Sequence, residues 1–175
     1  MIASEIKDKL MESHLLFVKE LQAMDESTYL RAPEGKWNAG QHLSHLVKSA
    51  KAIHTGLVLP RFQLKVMFGT ANRPSRTYEG LVEKYQTKLA EGYENKNAYM
   101  PAEVSISDRK ELSDKLMSYA SRIGKRVEGY KEDELDIYIL PHPLIGKLTI
   151  REMAYFTIYH VEHHHNLVKQ YSNAS

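Results

Sequence analysis

The sequence predicts an all-α fold, a four-helix bundle, on the basis of three observations. Four long segments repeat apolar residues at the three- and four-residue spacing of a single helix face. No regular series of alternating apolar and polar residues indicates a sheet. The 175 residues include 42% hydrophobic residues and no cysteine, a composition that supports one apolar core without disulfides. We therefore expect a single domain over residues 1–175.

The first two predicted helices extend from Ser4 to Met24 and from Asn38 to Leu59. The apolar stripe of the second helix consists of Leu43, Leu46, Val47, Ala50, Ile53 and Leu57. Asn38 is a preferred N-cap residue, because its side-chain oxygen can accept a hydrogen bond from a backbone N–H of the first turn. Pro60 predicts that the second helix ends or kinks near this position.

The third and fourth helices are predicted over residues 107–130 and 149–171. Their apolar residues again recur at helical spacing. Thr149 and Glu152 have the spacing of a capping box, in which each side chain accepts a hydrogen bond from the backbone N–H of the other residue. This motif predicts that the fourth helix begins at Thr149.

The connections between these helices differ in kind. In the long connection between the second and third helices, we expect residues 68–77 to be irregular and residues 78–91 to form an additional helix. A long crossing connection is typical of a bundle that is not simply up-down-up-down. The connection before the fourth helix, residues 139–147, contains two prolines that bend the chain. Residues 137–140 have strand-like composition, but the prediction remains all-α.

Charge and hydropathy exclude several classes of function. The formal net charge is only +2 and no run of five lysines or arginines occurs, so we expect no nucleic-acid partner. No window approaches the ~18 apolar residues of a membrane span, and the N-terminus lacks the apolar stretch of a signal peptide. We therefore expect no membrane partner and a cytoplasmic location. No glycine-rich phosphate loop and no serine-centred nucleophile elbow is present.

Nine histidines are the most informative feature of the sequence. Four of them share one short stretch: His160, His163, His164 and His165. Residues four apart on a helix lie one above the other, with Cβ atoms about 5–6 Å apart. His160 and His164 can therefore bind one metal ion through their ring nitrogens. His163 is the rival second ligand, and His165 is expected to be exposed.

The two candidate ligands lie on the apolar face of the fourth helix. They share that stripe with Met153, Phe156, Thr157 and Leu167. A buried neutral imidazole needs a partner for each ring nitrogen, and a metal ion on one with a hydrogen-bond acceptor on the other meets this need. The alternative is that both are core histidines with ordinary hydrogen bonds, in a bundle that binds no metal.

A third ligand must come from another helix, and the second helix offers His42, His45 and His54. His54 lies on the apolar stripe of that helix and is compatible with a core position. His45 lies off the stripe, on a small and polar face that either lines a cleft or faces water. Periodicity alone does not choose among the three.

A resemblance that covers most of the chain selects the third ligand among these histidines. The segment from Trp37 to Leu46 (WNAGQHLSHL) resembles the second-helix motif of the DinB/YfiT-like family, whose members are described as metal-dependent hydrolases. The segment from Gly146 to His164 resembles the last helix of that family, where a Thr-x-x-Glu start precedes a His-x-x-x-His pair. Residues 142–149 resemble a related DinB-like branch. Each motif is short, and their occurrence together in the expected order carries the resemblance.

The resemblance implies a four-helix bundle of DinB/YfiT-like type, with a long crossover connection between helices 2 and 3, that forms a homodimer. It also implies that His45, His160 and His164 are the metal ligands. The cofactor is then a divalent metal ion, with zinc or nickel preferred among the metals that imidazole binds. Gln41 departs from the family pattern, in which many members carry Glu, so the groups that support the first histidine differ here.

Three neutral histidines leave an open position on the metal, as in catalytic zinc sites. A water or a thiol in that position becomes a nucleophile at neutral pH. This predicts hydrolysis of a small-molecule substrate or, as the resemblance implies, group transfer that uses a low-molecular-weight thiol. The alternative is a non-catalytic metal-binding or stress-associated bundle that acts as a dimer.

No general acid or base is identified from the sequence, so the catalytic residues are unknown. Glu162 is expected on a solvated face, and Tyr155 and Tyr159 are expected to be structural. Arg73 and Arg76 are expected to be surface residues of the irregular connection. Trp37 is expected to pack beside the second helix as a core anchor.

Overall fold

Helices dominate the computed structural model, which describes residues 1–92 and 99–173. In chain order the elements are α1 (Ala3–Ala23), α2 (Glu26–Leu30), α3 (Ala39–Leu57), α4 (Arg61–Phe68), α5 (Tyr78–Ala90), α6 (Asp108–Glu128), α7 (Glu134–Ile137), β1 (Ile139–His142), β2 (Gly146–Thr149) and α8 (Ile150–Asn173). The all-α prediction is confirmed. The four long helices α1, α3, α6 and α8 begin and end within about two residues of their predicted limits, and so does α5.

Reciprocal hydrogen bonds fix the starts of α3 and α8. At α3, the Gln41 N–H donates to Asn38 Oδ1 at 2.8 Å, and the Asn38 N–H donates to Gln41 Oε1 at 3.0 Å. At α8, the Thr149 N–H donates to Glu152 Oε2 and the Glu152 N–H donates to Thr149 Oγ1, both at 3.1 Å. Both capping boxes satisfy backbone N–H groups that have no partner within the helix. The side-chain oxygen of Gln41 is therefore engaged in the capping box at the start of α3.

The four long helices pack as a bundle around one apolar core. α1 contacts α6 and α8, and α3 contacts the same two helices, so α1 and α3 lie diagonally across the bundle. The largest fully buried side chains of this core include Phe17, Ile6, Leu10, Leu43, Leu116 and Ile123. The connection between α3 and α6 carries α4 and α5, and α5 packs against α8. Within the bundle, α3 lies directly beside α8.

A short antiparallel hairpin precedes α8, and its first strand overlaps residues 137–140, the segment with strand-like composition. β1 pairs with β2, and Leu140 lies opposite Leu148. Gly146 has φ +80°, a left-handed conformation that glycine adopts without strain, and it begins the return strand. Leu140 and Leu148 are both buried. The strand-like composition of residues 137–140 was a signal for β1, but the pairing and the burial depend on long-range contacts, which the local pattern with its two prolines does not reveal.

The long helices are amphipathic. On α6, Leu116, Ile123 and Val127 are buried, whereas Lys115 and Glu111 form an exposed ion pair on another face. Such a helix packs one face on a core and presents the other to water. Within the described ranges, none of the helices is both long and apolar enough to cross a bilayer.

Candidate metal centre

Four buried histidines face one another where α3 packs against α8. His42 and His45 lie on α3, and His160 and His164 lie on α8. Each of them exposes 6% of its surface or less. The spacing is three residues on α3 and four on α8, so each pair lies on one face of its helix.

The Nε2 atoms of three of these histidines converge on one point. His160 Nε2 lies 3.1 Å from His45 Nε2 and 3.0 Å from His164 Nε2. The three residues offer ligand atoms that all lie within 4.8 Å of one another. Bonds of 2.0–2.1 Å in a tetrahedral site separate two nitrogens by about 3.3 Å, which is close to these distances. The structure thus brings together the three histidines predicted as ligands, in a group that excludes His42 and His163.

Hydrogen bonds at the opposite ring nitrogens orient two of the three imidazoles. His45 Nδ1 lies 2.7 Å from the carbonyl oxygen of Tyr99. A carbonyl oxygen only accepts, so Nδ1 carries the proton of the neutral ring and Nε2 presents its lone pair. His164 Nδ1 lies 2.7 Å from His42 Nδ1. Metal-binding histidines characteristically have such a partner on the second nitrogen.

Burial keeps the histidines of the group neutral. Desolvation, together with the neighbouring histidines, holds the pKa values of His160 and His164 well below the usual value. Burial also lowers the pKa of His45, and it lowers the pKa of His42 to about 4. Near pH 7 the three rings are therefore neutral, the form of imidazole that binds a cation.

A cavity of about 720 Å³ lies beside the group and is open on one side. Trp37, expected to be a core anchor, is instead half-buried and lines this cavity. Its ring centroid lies 5.1 Å from that of His45 and 6.2 Å from that of His164. Tyr85 and Phe156 line the cavity as well. The candidate ligands therefore face a space that is large enough for a small molecule.

The remaining histidines near the site lie outside the group of three. His54 is half-buried and packs near Tyr119, with ring centroids 5.8 Å apart. His163 lines the cavity wall. His165, expected to be exposed, is half-buried, with its ring centroid 5.7 Å from that of Phe17. That expectation was wrong because α1 packs against this side of α8, which the sequence of α8 alone does not show.

Glu162, Arg73 and Arg76 all have structural partners. Glu162 Oε2 accepts a hydrogen bond from the Tyr78 hydroxyl at 2.7 Å. Arg73 and Arg76 both bind the carboxylate of Glu152, at 2.7 and 3.0 Å. Glu152 is fully buried, so the two arginines secure the start of α8. They are committed to this contact rather than free at the surface.

Two groups that orient the site were not assigned from the sequence. His42, the partner of His164, lies three residues before His45, and that spacing on one helix face was the available signal. The carbonyl of Tyr99, the partner of His45, gives no such signal, because every residue type has a carbonyl. Its position depends on how the connection before α6 folds back onto α3.

The fold and the site together define a class: a helical bundle with a buried three-histidine group that can hold a metal ion. A family model described as the DinB superfamily matches residues 12–168. The chain therefore belongs to the DinB superfamily, as its motifs predicted. No curated protein and no solved structure shows a significant match.

Proposed function

We propose that the protein binds one divalent metal ion through the Nε2 atoms of His45, His160 and His164 and acts on a small molecule in the adjacent cavity. One observation carries this proposal: three buried, neutral imidazoles converge through Nε2 at the wall of an open cavity. The hydrogen bond from His45 to Tyr99 adds support, since it leaves the Nε2 lone pair pointing into the group. Zinc and nickel are the proposed metals, because both bind imidazole readily.

A divalent ion held by three neutral imidazoles supplies Lewis-acid chemistry, lowering the pKa of a water or thiol in its open position towards neutrality. The protein's own residues orient the three imidazole rings and bind the substrate. Two reactions follow from this chemistry: hydrolysis, and transfer of a group to or from a low-molecular-weight thiol. The chain has no cysteine, so a thiol nucleophile comes with the substrate.

The composition of the cavity favours a second candidate function, metal binding without catalysis. Among the described residues that line the cavity there is no carboxylate, so a general base has to be a histidine or a tyrosine. His42, His142 and His163 are the lining histidines that stand outside the group of three. A cavity that offers no carboxylate as a proton acceptor suits a bundle that stores or senses a metal.

Cobalt(II) substitution separates an open site from a closed one. We expect the visible spectrum of the cobalt protein to change when thiocyanate or 2-mercaptoethanol is added, because either can take an open position. The same protein loaded with zinc is then assayed for hydrolysis of 4-nitrophenyl acetate, with His45→Ala as the inactive control. A cobalt spectrum unaffected by both additives would contradict the proposal. A responsive spectrum without zinc-dependent turnover would favour the non-catalytic function.

A further inference from the structure

The cavity beside the histidines is poor in charge. Among its described lining residues the only side chain with a permanent charge is Lys36, which is exposed. There is no arginine and no carboxylate in the described part of the lining. Away from the metal position, a charged group of a ligand therefore finds almost no compensating charge in the cavity.

Apolar side chains from separate parts of the chain meet around this cavity. They come from the segment before α3, from α3 itself, from the end of α4, from the hairpin and from α8: Trp37, Ile53, Phe68, Leu144 and Leu167. All five are half-buried, so apolar surface remains exposed inside a concave site. Concave apolar surface next to a few polar groups is the usual character of a small-molecule site.

Resting on the proposed function above, we infer that the ligand filling this cavity is a small molecule that is uncharged and mainly apolar apart from its donor atom. One donor atom of this molecule reaches the Nε2 group, and its apolar part lies against side chains such as Ile53 and Leu167. Burying a charged group without a partner is unfavourable, whereas each buried CH₂ group makes binding more favourable. The common cellular thiols carry carboxylates away from their sulfur atom, where Lys36 alone among the described lining residues offers a positive charge. They are disfavoured as occupants of the cavity.

Fluorescence of N-phenyl-1-naphthylamine, a neutral apolar dye, tests this inference on the full chain. We expect the dye to bind metal-free and zinc-loaded wild-type protein. Two competitors with the same donor atom, hexane-1-thiol and glutathione, then distinguish an apolar ligand from a charged one. Hexane-1-thiol should displace the dye at a concentration at least about tenfold lower. Failure of the dye to bind, or equal displacement by glutathione, would overturn the inference.

Matched variants locate the bound dye. Ile53→Glu and Leu167→Glu, on different helices of the cavity, should each weaken dye binding at least about tenfold, because each buries a carboxylate beside the dye. Leu16→Glu, on a leucine of α1 that is 52% exposed, should leave dye binding unchanged. Circular dichroism confirms that each variant is folded. Equal loss in all three variants, or in none, would contradict a site in this cavity.

The outcomes separate this inference from the proposed function. Dye binding to metal-free protein depends on the cavity alone, whereas zinc binding depends on His45, His160 and His164. Zinc binding without dye binding would overturn the apolar ligand and leave the metal site intact. Dye binding without zinc binding would overturn the metal site and leave the apolar cavity.

Discussion

The Nδ1 atom of His42 lies 2.7 Å from the Nδ1 atom of His164, across the interface between α3 and α8. One of the two rings therefore donates a hydrogen bond to the other. His42 Nε2 is buried, and in the described part of the chain it has no hydrogen-bond partner. Because His164 Nε2 faces the histidine group while its Nδ1 is bound to His42, the orientation of the candidate ligand depends on His42.

Replacement of His42 tests this dependence. His42→Phe keeps an aromatic ring but removes the partner of His164, so we expect zinc affinity to fall by about 10–100-fold. Competition with a chromophoric chelator measures that affinity. His54→Phe, on the same helix but outside the group, is the matched control and should bind zinc as the wild type does. An unchanged affinity in His42→Phe would show that the hydrogen bond does not orient the ligand.

The buried carboxylate of Glu152 should contribute strongly to stability. Burial alone would raise its pKa, but hydrogen bonds from Arg73 and from the Arg76 N–H hold the pKa below the usual value. Glu152→Gln leaves two arginines without their anion. We therefore expect the free energy of unfolding to fall by about 2–4 kcal/mol. Urea denaturation measures this change. The control Glu128→Gln breaks only an exposed pair with Lys7 and should leave the midpoint in place.

Gly40 is required by close packing in the first turn of α3. A Cβ atom at this position would lie 2.8 Å from Cε1 of the buried Tyr29 and closer still to a methyl group of Val104. Gly40→Ala should therefore lower the free energy of unfolding by about 1–3 kcal/mol, despite the better helix propensity of alanine. At Gly80, in α5, the nearest atom would lie 3.4 Å away. Gly80→Ala should be neutral or stabilising, and equal effects at the two glycines would refute the steric argument.

Buried histidines should make the fold sensitive to acid, and His14 on α1 allows one contribution to be isolated. Burial lowers the pKa of His14 from 6.5 to about 4. Between these values the unfolded chain binds a proton that the folded chain does not, so stability falls as the pH falls through this window. The loss is about 3 kcal/mol between pH 7 and pH 4.

The test compares His14→Asn with wild type by urea denaturation of metal-free protein at several pH values. Asparagine retains a donor in the position of Nδ1, which contacts the Leu10 carbonyl at 2.7 Å, but it does not titrate. The variant should therefore lose less free energy of unfolding than the wild type as the pH is lowered. Parallel pH profiles would show that His14 is not the titrating group.

The helices could be predicted from the sequence because local signals specify them. Apolar stripes defined the four long helices, and the caps at Asn38 and Thr149 defined two of their starts. The short helices α2, α4 and α7 were not predicted, and the hairpin was indicated only by the strand-like composition of residues 137–140, since too few residues carry a periodic signal. Leu64 of α4, for example, is buried by contacts with distant parts of the chain.

The site could be predicted only in part from the residues. The spacing of His160 and His164 predicted that these two would act together, and the structure places their Nε2 atoms 3.0 Å apart. His45 required the family resemblance, because its helix face is buried only by packing against α8 and by the connection at Tyr99. The homodimer, the thiol and the identity of the metal stay predictions.

Metal analysis of the purified, untagged protein tests the three-histidine site most directly. The protein is dialysed, with and without prior addition of zinc or nickel, and bound metal is measured by plasma mass spectrometry. We predict about one equivalent per chain in the wild type and in His54→Ala, and none in His45→Ala or His164→Ala. A wild-type protein that retains no metal after zinc and nickel have been added would contradict the site.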